Sequence, residues 1–248
     1  ILFNLTLDAI RRTFPAPPLR VNNALGKLPR LTFPNSASPS AKLTFSLQTV
    51  TGTLPVASEA ARVYFLPKNK PNFSSLQRAQ TMVGRIGFTL TPTEINPTFY
   101  RWQDPKNPLR TLEMDTVNNH FTLTYSYIHD LPLFAEKQIP SPEQGRLESE
   151  VLLQTLGLKP TDLDSGKTQV RYLKLVGDQL TPTTSQSQAD AAEVHLYRKD
   201  YDGMPVWTDR SGASFATFVL SGSRRIDQRF LSVNFRYWPI LPKRLGMT

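Results

Sequence analysis

Residues 140–160, "PSPEQGRLESEVLLQTLGLKP", carry helix signals at both ends. Ser141 is an N-cap residue, Pro142 suits the first helical position, and Gln144 completes a capping box. Glu143 favours the positive end of the helix dipole. Gly157 closes the far end, Leu158 folds back onto it, and Pro160 prevents continuation. A helix is expected over 142–156, with Leu147, Val151, Leu152 and Leu156 as its apolar stripe.

The chain beyond that helix reads as strands: "TQVRYLKLV" (168–176), "AEVHLYRK" (192–199), "MPVWT" (204–208), "SFATFVLSG" (214–222) and "RFLSVNFRYW" (229–238). The polar "TPTTSQSQAD" (181–190) reads as a mobile loop between the first two. In "RKDYDGMPVW" (198–207), Asp200 and Asp202 invite a calcium loop. Gly203 comes too early for the ligand spacing such a loop needs. Asp202-Gly203 is instead a hairpin corner.

The preceding part reads similarly. "KLTFSLQTV" (42–50) alternates as a strand does, and "ARVYFLP" (61–67) is a second strand. Leu76, Ala79, Val83 and Ile86 share one face of a helix over 75–86, capped by Ser74 or Ser75 and closed by Gly87. "TFYRWQ", "LRTLEMDTV" and "HFTLTYSYI" then form a meander, turning at "DPKNP" and at a two-residue hairpin, Asn118-Asn119. The expected fold class is α+β, with two similar units, each an antiparallel β-sheet with one packed helix. The expected divisions are 1–40 (an apolar N-terminal segment and Pro-rich linker), 41–130 and 131–248.

Composition narrows the function. The 248 residues carry a net charge of +9. Residues 1–130 hold 14 Lys and Arg against 7 Asp and Glu, so the excess lies there. Such a balance favours polyanions, although no Lys/Arg run exceeds two residues, which disfavours a nucleic-acid arm. The absence of cysteine excludes a disulfide scaffold, a Cys-based zinc site and a thiol nucleophile. No stretch reaches the ~20 apolar residues of a spanning helix. The chain opens at Ile1 with "ILFNLTLDAIRR" and continues into six prolines over 15–40. The expectation is a membrane tether upstream of Ile1, joined to the body by a semi-rigid linker.

Catalytic patterns are lacking. His120, His129 and His195 show no zinc-helix spacing and read as structural or surface residues. Ser221-Gly222-Ser223 falls short of a nucleophile elbow, and no phosphate-binding glycine loop occurs. Glu148 and Glu150 do not share a helix face. No catalytic residue, metal site or cofactor is expected. The candidate binding residues are Arg101 and Trp102, in the basic–aromatic "FYRW", and Arg224, Arg225 and Arg229 around one turn, where an anionic group would find partners. An amphipathic strand and an exposed turn account for the same residues without a ligand.

The Pro-rich "PPLRVNNALGKLPRLTFP" after an apolar start, "RKDYDGMPVW", and "SGSRR" with "RFLSVNFRYWPI" together resemble uncharacterised single-pass membrane proteins of candidate-phylum bacteria. In layout those are similar to YycH/YycI-type extracytoplasmic regulators and to PepSY-like modules. The resemblance implies a tethered, non-enzymatic domain on the extracytoplasmic face of a bacterial membrane, regulating another envelope protein by contact. The alternatives are a polyanion-binding protein, contacting wall polymer, anionic lipid or nucleic acid, and an enzyme with an unrecognised site.

Overall fold

The computed structural model of the protein describes residues 64–164, 166–208 and 213–240. The expected N-terminal segment, linker and strand at 42–50 lie outside the described residues. Of the expected strand at 61–67, Tyr64–Pro67 is described and has no regular structure.

Four short strands come after the first helix. Helix α1 is Ser75–Gly84, and the strands are β1 (Thr93–Asn96), β2 (Phe99–Gln103), β3 (Arg110–Asp115) and β4 (His120–Tyr125). After two 3-10 turns, at Tyr127–His129 and Leu131–Ala135, come helix α2 (Pro142–Leu156) and the one-turn α3 (Thr161–Asp164). The remaining elements are β5 (Thr168–Val176), β6 (Gln179–Thr183), β7 (Ala191–Leu196), β8 (Ala216–Ser221), the one-turn α4 (Ile226–Arg229) and β9 (Phe230–Phe235). The strands form one sheet, β1-β2-β3-β4-β9-β8-β7-β5-β6, and every pairing is antiparallel. Instead of two separate sheets, β4 and β9 pair along residues 121–124 and join all nine strands found among the described residues. The α+β class with a large antiparallel sheet is established.

The expected ends of α2 are present. Ser141 accepts from the Gln144 N–H at 3.3 Å, and the Gln144 side chain accepts from the Ser141 N–H at 3.1 Å. Gly157 takes a left-handed φ of 74°, and Leu158 N–H donates back to Leu153 O. α1 starts differently from expectation. Ser74 makes no side-chain cap bond, and Asn72 Oδ1 instead accepts from the Ser74 N–H and from the hydroxyls of Ser74 and Ser75.

Alternation divides the sheet into two unlike faces. One face carries Trp102, Leu112, Met114, Leu123, Val194, Leu196, Phe218 and Val233, all fully or almost fully buried. Ala79 and Val83 of α1 and Leu152, Leu153 and Leu156 of α2 complete this core. The other face is polar except at its Leu173–Ala191 end. Its cross-strand registers align Arg101, Glu113, Thr122, Asn234, Thr217, His195 and Gln169 in one row. A second apolar cluster, including Leu133, Phe134, Leu173 and Ala191, lies under the 3-10 turns.

The connections hold further differences. Strands β1 and β6 go beyond the sequence expectation, and β6 takes residues 181–183 from the expected mobile loop. The β3–β4 turn spans four residues, since Asp115 pairs with His120 and only Asn119 has positive φ. Asp115 Oδ1 accepts from the N–H groups of Val117 and Asn118, which stabilises the longer turn. Asp202 (φ 51°) and Gly203 (φ 76°) do form a tight corner, closed by the Tyr201–Met204 bridge. The expected strand at 204–208 reduces to that bridge. Among the described residues, no three His, Asp or Glu side chains group as a metal-ligand set.

Candidate binding groove

Helix α2 is apolar on two sides. Gly145, Ser149, Leu152, Leu153 and Leu156 face the sheet. A Cβ on Gly145 would lie 2.9 Å from Val194 Cγ2, so glycine lets the helix settle closely on β7. Ser149 is also small, and its hydroxyl is satisfied by Gly145 O at 2.7 Å. This small-residue contact decides the helix's rotation. It leaves Leu147 and Val151, expected in the buried stripe, 46% and 59% exposed. At 100° per residue they stand roughly opposite Leu156 and Ser149.

Those two side chains line a groove of about 1150 Å³. Its walls are α2, residues 85–87 just after α1, the β2–β3 turn at 104–106, and the β8–β9 connection at 223–229 with the first residue of β9. Ile226, 75% exposed, lines it from the β8–β9 turn. Hydrogen bonds fix the wall positions. Asn107 Nδ2 donates to Asp227 Oδ2 at 2.8 Å, tying the β2–β3 turn to α4. Ser221 Oγ donates to Gln228 O at 2.8 Å, and Ser223 Oγ to Gln228 Oε1 at 3.1 Å.

Six cations and three carboxylates line this groove. Arg229 binds Glu148 through two bonds, at 2.6 and 2.8 Å, and donates to the carbonyls of Gln138, Ser221 and Ser223. Buried Arg110 meets buried Asp104 at 2.9 Å and donates to Ile86 O at 2.8 Å, with its guanidinium over the Phe88 ring. Arg225 pairs with Asp227 at 2.8 Å. Burial pushes the Asp227 carboxyl up, but the bonds from Arg225 and Asn107 outweigh it and hold the group below its ordinary value. Three cations are left without a carboxylate partner among the described residues: Arg85, Lys106 and Arg224. Arg85 donates to Thr155 O at 3.3 Å, at the negative end of α2. The backbone N–H of Arg224 donates to Glu136 Oε2 at 2.8 Å.

The candidate residues thus separate. Arg224, Arg225 and Arg229 share the groove, with Arg229 spent on internal bonds. Arg101 lies on the polar face, paired with Glu113 at 2.7 Å. Trp102 is fully buried on the opposite face, with no surface for a ligand. Arg85, Lys106, Leu147, Val151 and Ile226 join the site without having been marked as site residues by any sequence motif. For Leu147 and Val151 a signal existed: α2 has more apolar positions than one buried stripe holds.

A second polar constellation lies on the polar sheet face. His195 Nε2 is 3.1 Å from Glu193 Oε2, and its Nδ1 is 3.1 Å from Ser214 Oγ. Ser214 Oγ also lies 3.1 Å from Ala216 O and 2.8 Å from Thr217 Oγ1. Arg171 contacts both His195 and Glu193. His195 and Arg171 together hold the Glu193 carboxyl below its ordinary value. These bonds fasten β7 to β5 and β8, and the groups of this network satisfy one another.

The chain matches no family model, and no curated protein or solved structure matches it. Among the described residues no helix is long and apolar enough to cross a membrane.

Proposed function

We propose that this chain is a non-enzymatic binding module that regulates a partner protein by contact, with the groove as its contact site. The observation that carries the reading is the exposure of Leu147, Val151 and Ile226 inside one concavity. Exposed aliphatics gathered in a groove characterise surfaces that become covered. The proposed setting is the extracytoplasmic face of a bacterial membrane, with an anchor preceding the Pro-rich linker. The sequence resemblance supports that setting.

We also propose that the described body comprises two related units. Outward from the β4–β9 seam, the order is β3, β2, β1 on one side and β8, β7, β5, β6 on the other, so the second side has one strand more, and each half contributes one longer helix.

Site-specific photocrosslinking tests the contact reading. A photoreactive residue at Val151 is expected to trap one partner protein that the same residue at Thr93, on the sheet edge, does not trap. The identified partner, purified, then binds the wild-type chain and loses affinity for Leu147→Asp. Identical adduct patterns at Val151 and Thr93, or no adduct at Val151, would overturn the reading.

A further inference from the structure

We infer that the groove's occupant is an acidic amphipathic helix presented by the partner; this rests on the contact reading above. Size comes first. A volume of about 1150 Å³ slightly exceeds the upper end of drug-sized ligand pockets, roughly 1,000 Å³, so a short polypeptide segment fits the space.

Backbone chemistry then selects the segment's conformation. The groove is walled by helix α2, a helix end and two turns. The outermost strands, β1 and β6, supply none of its lining residues. An extended peptide would therefore find no strand edge to satisfy its N–H and C=O groups by augmentation. A helix satisfies those groups internally and presents side chains alone. Leu147 and Val151 stand one turn apart on α2, giving a ridge against which apolar residues at i, i+4 and i+7 of a second helix can pack.

Charge selects the flanks. With Asp104, Glu148 and Asp227 each already engaged by arginine, the groove retains the positive charge of Arg85, Lys106 and Arg224. Glutamates beside the apolar stripe of the incoming helix would meet these cations, and lysines there would be repelled. An anionic membrane shares the required charge, but a bilayer surface does not enter a concavity walled on several sides.

The experiment uses the full 248-residue chain and a fluorescein-labelled helix-forming peptide of about 18 residues, with leucines at i, i+4 and i+7 and glutamates on the flanks. Fluorescence anisotropy is expected to give saturable 1:1 binding, with a gain of helical circular dichroism. A lysine-flanked peptide, and one with the leucine stripe scrambled, are each expected to bind at least about 10-fold more weakly, a factor equal to about 1.4 kcal/mol. Lys106→Glu combined with Arg224→Glu should weaken the acidic peptide by at least about as much. Leu147→Asp should abolish binding, and Leu147→Ser should weaken it; Leu147 is exposed, so thermal melts of both variants are expected to match wild type. Equal binding of acidic and basic peptides, or of striped and scrambled ones, overturns the inference. So does binding to phosphatidylglycerol vesicles without binding to the acidic peptide. If Val151 crosslinks a partner while the acidic helix fails to bind, the occupant is wrongly assigned and the contact reading stands. If Val151 crosslinks nothing, both fall.

Discussion

Among single residues, burial has turned several polar groups into fasteners. Arg198 is buried, with Nε on Asp162 Oδ2 at 2.6 Å, one guanidinium N–H on Trp238 O at 2.7 Å, and its plane over the Tyr237 ring. Burial and a hydrogen bond to Asp162 push the Tyr237 hydroxyl up to about 12. The neighbouring His120 holds the same C-terminal segment. Its Nε2 is 3.0 Å from Tyr237 O, and its ring meets Trp238 edge-on at 4.3 Å. Burial lowers its pKa below the ordinary 6.5, against the bond to Tyr237 and the charge of Asp115, which raise it; Arg236 lowers it further. The unfolded chain therefore takes up this proton first. The stabilising contribution is fully present above pH 6.5 and is lost as pH falls through the folded-state value. Urea unfolding is expected to show stability falling from about pH 7.5 to about pH 5.5, with a smaller fall in His120→Gln. An unchanged slope in that variant would assign the effect to another group.

Among the elements, side-chain volume outweighs propensity in placing α2. Helical periodicity marks its span, and the cap residues mark its ends. Periodicity places Leu152 and Leu156 on the buried face but wrongly adds Leu147 and Val151, because it weighs apolar character without size. Gly145 and Ser149 make the closest approach to the sheet, while larger Leu147 and Val151 point away. A Gly145→Ala substitution tests this ordering of effects. On an open helix face it would stabilise by up to about 1 kcal/mol. Here the added carbon meets Val194 at 2.9 Å, and a lower melting temperature is expected. A raised one would show that the contact yields without cost. The strand ends obey a comparable logic. Strands bordered by strong turn chemistry, β5 above all, have the expected limits, whereas "MPVWT" has strand composition but, among the described residues, no strand to pair with beyond the Tyr201–Met204 bridge.

Across the whole molecule, the β4–β9 seam makes the described body one sheet. Leu123 and Val233 face each other across it, both fully buried in the larger core cluster. Contacts from both halves converge on that cluster, so they are expected to lose structure together. Leu123→Ala should cost about 2–5 kcal/mol, and tryptophan fluorescence and far-ultraviolet circular dichroism should then report coincident urea transitions. Two separated transitions would show that the halves unfold independently.

Local chemistry is enough to specify the α+β class, helix α2 with both caps, the approximate positions of most strands, and the corner at Asp202-Gly203. A cap bond reaches three residues, strand alternation repeats every two, and a tight turn spans four, so each signal is complete within a short window. Arg224, Arg225 and Arg229 come together for the same reason, because they are neighbours in the chain. Long-range packing was needed to pair β4 with β9, to make Trp102 core, and to gather Leu147, Val151 and Ile226 with Arg85, Lys106 and Arg224 around one groove. Those relations join residues up to about 140 positions apart, from Arg85 to Ile226. They arise from which surfaces pack best, a comparison that no local pattern contains.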